Sequence, residues 1–144
     1  MFSNDRNQMR QYFFDTWQKA QDSNAKLEPL ELLIASIIQD HPEYHATINN
    51  PFKHLEKDYL PESGESNPFL HMGMHISLQE QVQTNRPKGI TAIYQKLCKG
   101  SPDVHNTEHT MIECLAKSLH DAQVNQTQPD EKSYIKCLKK LLKK

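Results

Sequence analysis

The chain is poor in the residues that mark several protein classes. Its three cysteines, Cys98, Cys114 and Cys137, are odd in number and form no Cys-x-x-Cys motif. That argues against a disulfide scaffold. Together with the polar stretch Met1–Arg10, where a secretory signal would be apolar, it points to a reducing, cytoplasmic setting. Three Val and four Gly, against twelve Gln and fourteen Leu, favour helix over strand. The longest apolar run, Leu32 to Ile38, is far short of the roughly 20 residues a membrane helix needs, so no membrane span is expected. A basic excess is missing too. With 17 Lys and Arg against 18 Asp and Glu, the formal charge is −1, and nucleic acid is not an expected partner. Glycine-rich phosphate loops, His-Glu-x-x-His and the Glu-x-x-His of ferritin-like di-iron bundles are all absent from the sequence.

What is present is helical punctuation. Met9, Phe13 and Trp17 recur at helical spacing, which predicts a first amphipathic helix over about Asp5 to Gln21. Pro29 suits a first turn, and Leu30, Leu33, Ile34, Ile37 and Ile38 form a stripe behind it. Pro42 and Pro51 interrupt, leaving a short helical piece between them. The segment 58–66, DYLPESGES, is a loop. Asn67-Pro68 then reads as cap plus first-turn proline of a helix running to about Thr84, and Asn85 to Gly89 breaks it. Ile90 to Lys99 ends at Gly100, Ser101-Pro102 reads as the next cap and start, and Asp130 caps a basic C-terminal helix over 130–144. The expected architecture is a single all-α domain, 1–144. It is a helical bundle of six or seven helices with short connections.

Histidine is the over-represented residue: eight are present. Six of them make three His-x-x-x-His pairs, His41/His45, His71/His75 and His105/His109, where chance placement gives about 0.4 such pairs. One helical turn is 3.6 residues, so i and i+4 project from one face and can ligate one metal. His71 and His75 lie four and eight residues after Asn67, and His105 and His109 lie four and eight after Ser101. Helix N-termini favour neutral imidazole, the state a metal ligand requires. Pro42, standing between His41 and His45, makes the third pair the exception. At about 100° per residue, His109 and Glu113 sit about 40° and 80° from His105, and Glu108 about 60° the other way. Cys114, about 180° away, is expected to pack as a small apolar residue.

The expected site is therefore metal: His71, His75, His105 and His109, with His41 and His45 as further ligands. Glu108 and Glu113 would be candidate catalytic bases, and Zn, Fe, Mn or Ni would suit the donors. His105-Asn106-Thr107-Glu108-His109 also matches the His-x-x-Glu-His pattern of inverted zinc peptidases, a short and inexpensive match. A rival reading is a non-catalytic helical interaction module whose histidines form a buried hydrogen-bond network. Such a module would bind itself as a homodimer, or a partner, through Met72/Met74 or the lysine tail. The tail, Lys132 to Lys144, either meets an acidic partner or simply complements the helix dipole. The Arg86-Pro87-Lys88-Gly89 turn is an anion site or a solvated loop. His54 and His120 are expected to titrate as ordinary histidines.

The strings HPEYH at 41–45, NPFLHMGMHISLQEQ at 67–81, RPKGI at 86–90 and the HNTEHTMIECL helix resemble a bacterial family labelled domain of unknown function 1841. The resemblance implies a small intracellular protein and no established activity. It marks His41, His45, Asn67, Pro68, His71, His75, Glu80, Arg86, Pro87, His105, Glu108, His109 and Glu113 as motif positions. Glu80 falls about 180° from His71 on their helix, so either it has a separate role, such as pairing with Arg86, or the helix departs from the ideal wheel.

Overall fold

The computed structural model describes residues 2–59 and 67–143, and every described element is helical. The chain forms two compact units, Met1–Ile76 and Ser77–Lys144. No helix among the described residues is long and apolar enough to cross a membrane. The predicted loop at 58–66 lies largely outside the described residues, of which it contributes Asp58 and Tyr59.

The first unit contains α1 (Phe2–Ala20), α2 (Pro29–Gln39), a 3-10 turn (Pro42–Tyr44), α3 (His45–Ile48), α4 (Pro51–His54) and the start of α5 (Pro68–Thr84). Glu28 opens α2 with a reciprocal capping box to Glu31, and Pro29 fills the first turn. Asn67 caps α5 as predicted, its Oδ1 accepting from the N–H groups of Phe69 at 3.0 Å and Leu70 at 3.2 Å. The core gathers Phe13 and Phe14 from α1, Ile34, Ile37 and Ile38 from α2, Ile48 from α3, and Phe69 and Met72 from α5. Phe69 stacks on Phe13 and meets Phe14 edge-on. Burying each such side chain stabilises the unit by about 1.5–3 kcal/mol.

Three expectations change here. Met9 and Leu30 are exposed, not buried. Arg10 takes the place expected of Met9: it is 2% exposed, and its Nη1 donates to the carbonyls of His54, Leu55 and Lys57 at 2.7–3.2 Å. The rings of Phe69 and Tyr59 cover its guanidinium. His54, expected to titrate freely, is half-buried with Nδ1 2.7 Å from the Tyr59 hydroxyl. Burial, and then Lys57, Lys53 and Arg10, hold its pKa below the ordinary 6.5.

The second unit holds the rest of α5, then α6 (Ile90–Lys99), α7 (Val104–Asn125) and α8 (Glu131–Leu141), with α6, α7 and α8 packed on one another. Asp130 caps α8 as predicted. The cap of α7 is a correction: Asp103, not Ser101, accepts from the N–H groups of His105 and Asn106. Ser101 Oγ instead bonds the backbone of Asp103 and forms the approach turn. Aspartate two residues on is an equally good cap, and it wins because the serine is occupied. The cysteines are the larger correction. Cys114 is buried as predicted, but it is bonded to Cys137, joining α7 to α8 across 23 positions, which leaves Cys98 as the one free thiol. The odd cysteine count therefore gives no argument for a reducing setting.

Candidate functional site

Pro42 builds the first half of the site. The residue before a proline is pushed out of the α region, and His41 accordingly has φ −123° and ψ 69°. Its N–H turns to Ile38 O at 3.0 Å, so Ile37 O loses the amide that a continuing helix would have given it. The His41 ring supplies the replacement, with Nδ1 2.7 Å from Ile37 O. His45, which opens α3, adds a further partner to the Ile38 carbonyl: its Nε2 lies 2.9 Å from that oxygen, and its ring packs on Trp17. Pro42 thus separates His41 and His45 onto different elements, and each ties a carbonyl at the end of α2.

His71 and His75 lie one turn apart on α5, with their Nε2 atoms 3.2 Å apart. The His41 ring sits edge-on to both, at 5.0 Å from His71 and 4.7 Å from His75, and Tyr44 stacks on its outer face at 5.3 Å. His41 and His75 are 1% and 2% exposed. Three imidazoles in mutual contact can act as hydrogen-bond donors and acceptors to one another. The carbonyl of Ile37 only accepts, hence Nδ1 of His41 carries the hydrogen, and in the neutral ring the lone pair is on Nε2. Burial likewise pushes the Tyr44 phenol up, with Glu43 adding to the effect.

In the second unit, His105 and His109 follow the Asp103 cap by two and six residues, and their rings meet at 4.1 Å. Glu108 lies between them, half-buried. Its Oε2 accepts from Gln79 Nε2 at 2.7 Å and from the Tyr94 hydroxyl at 3.0 Å. Burial raises the Tyr94 pKa, and the Glu108 carboxylate adds to the rise. Glu113 stands apart, exposed on α7, and Glu80 is exposed on α5. Gln79 and Tyr94 escape notice in the sequence, although Gln79 continues the one-turn ladder His71, His75, Gln79.

His41 and His75 in the first unit, and His105 and His109 in the second, are each able to offer a ring nitrogen to a metal ion. A family model described as a domain of unknown function (DUF1841) matches residues 5–140, and the chain belongs to that family. Neither a curated protein nor a solved structure matches it.

Proposed function

We propose that this DUF1841 protein binds one divalent first-row metal ion through ring nitrogens of His41, His75, His105 and His109. His71 would be a fifth donor or a hydrogen-bonding neighbour, and His45 would serve the α2 terminus. The supporting observation is that these four histidines can each offer one ring nitrogen to a common ion. The Ile37 carbonyl adds to this, because it fixes the His41 tautomer as outer partners of metal-bound histidines do. An all-imidazole set suits Zn, Fe or Ni, with Mn a weaker match.

A bound cation of this kind supplies Lewis acidity and makes water acidic. This chain would contribute a carboxylate at Glu108, positioned by Gln79 and Tyr94, to hold a proton beside the histidines. Glu113, being exposed, is the weaker of the two candidate bases. A second reading is a purely structural histidine network. It is favoured by the two bonds that His41 and His45 make to carbonyls at the end of α2.

Metal addition separates the readings. Untagged, chelator-stripped protein should gain at least about 5 °C in unfolding midpoint with one of Zn, Fe(II), Mn or Ni. The gain should vanish in His75→Ala and His109→Ala. A midpoint unmoved by all four metals would leave the network reading standing.

A further inference from the structure

Five of the tail lysines belong to a feature that the histidine site does not use. A groove of about 620 Å³ runs beside α8 in the second unit, lined by Lys88, Lys132, Lys136, Lys139, Lys140 and Lys143. All six are exposed, and among the described residues none makes an ion pair. Glu131 is the one carboxylate in the lining. The helix dipole accounts for lysines in the last turn, Lys139 and Lys140. It does not account for Lys132, which lies in the first turn of α8, where a positive charge is disfavoured, nor for Lys88, which comes from another segment.

Lys88 is held in place. Asn85, at φ 54°, turns the chain, and its Oδ1 accepts from the N–H groups of Gly89 at 3.0 Å and Thr91 at 3.2 Å. Gly89, at φ 99°, completes a turn that most side chains would strain. The backbone that carries Lys88 is thus fixed, and Lys88 lines the groove together with the α8 lysines.

We propose that this groove binds a small molecule carrying a run of three or more phosphate groups. Its volume lies in the small-ligand range of roughly 300–1,000 Å³. The cations are all lysine, which meets phosphate as a point charge, and the lining has no guanidinium fork for a planar carboxylate. An acidic peptide is therefore the poorer fit. Single-stranded nucleic acid calls for aromatic stacking platforms, and the uncharged lining is Pro87 and Ile135. An anionic membrane calls for an exposed apolar face beside the lysines, yet Tyr134 and Leu138 of α8 are buried. Three phosphates carry a negative charge comparable to the surplus of ammonium groups.

Calorimetric titration of the full chain with inorganic tripolyphosphate tests this. Orthophosphate, a thymidine 20-mer and phosphatidylglycerol vesicles are the comparators. Tripolyphosphate should bind at least about tenfold more tightly than orthophosphate. The double variant Lys136→Gln/Lys139→Gln should weaken it by at least about tenfold, and Lys88→Gln by a smaller factor. Lys99→Gln/Lys117→Gln, which lies outside the groove, should leave it unchanged, with unfolding midpoints equal in all variants. Equal affinity for orthophosphate, tighter binding of the 20-mer or the vesicles, or indifference to the groove variants would each overturn the proposal, as would no detectable binding.

Discussion

The imidazole of His41 takes over the carbonyl of Ile37, one turn back, at 2.7 Å. Because Pro42 stops α2, that carbonyl would otherwise be an orphan of the helix end. The bond places the hydrogen of neutral His41 on Nδ1. Nitrogen-detected NMR of the apoprotein should show Nε2 of His41 with the shift of an unprotonated ring nitrogen, and addition of a binding metal should move that resonance. A protonated Nε2 in the neutral ring would contradict the assignment.

Arg10 is the buried cation of the first unit. Its Nη1 serves three carbonyls of 54–57, and its side chain lies between the Tyr59 and Phe69 rings. Arg10→Ala leaves those carbonyls without their donor and opens a void, so it should cost at least about 3 kcal/mol in denaturant unfolding. A cost below about 1 kcal/mol would mean that water replaces the guanidinium.

The Cys114–Cys137 bond closes a segment of 23 positions between α7 and α8. The loop-entropy account gives about 3 kcal/mol for a closure of that length. Cys137→Ser, or reduction, should lower the unfolding midpoint accordingly. Thiol counting in non-reducing denaturant should find one free thiol, Cys98, and three after reduction. Protein alkylated at the moment of cell lysis shows whether the bond exists in its own compartment. Three alkylated thiols there would mean that it forms only after extraction.

His54 gives a pH dependence with a definite sign. Its folded pKa lies below 6.5, through burial first and then Lys57, Lys53 and Arg10. The unfolded chain therefore binds this proton first as pH falls. The stability linked to His54 is complete above pH 6.5 and is lost as pH drops from there through the folded pKa. His54→Gln should flatten the stability curve between about pH 7 and 5 relative to the parent. Parallel curves would show that His54 is solvated in both states.

Much of the helical framework was legible because it rests on local chemistry. The Pro29, Asn67-Pro68 and Asp130 starts each announce themselves within a few residues, and all three appear in the structure. The misread positions depend on competition or on distant partners. Ser101 lost the cap of α7 to Asp103, since two acceptors were available and spacing does not rank them. Arg10 falls in the stripe of Phe13, Phe14 and Trp17 but looks like a surface residue until the carbonyls of 54–57 are brought to it. The Cys114–Cys137 bond leaves no local signature at all. In the site, His71/His75 and His105/His109 follow from one-turn spacing. The Gln79 and Tyr94 bonds to Glu108 depend on tertiary packing.

Elemental analysis of untagged protein purified without chelators is the most direct test of the proposed metal binding by the histidines. About one equivalent of Zn, Fe, Mn or Ni per chain is predicted, falling to near zero in a His75→Ala/His109→Ala variant that still folds. Less than about 0.2 equivalents of every such metal in the parent, unchanged after reloading, would contradict it.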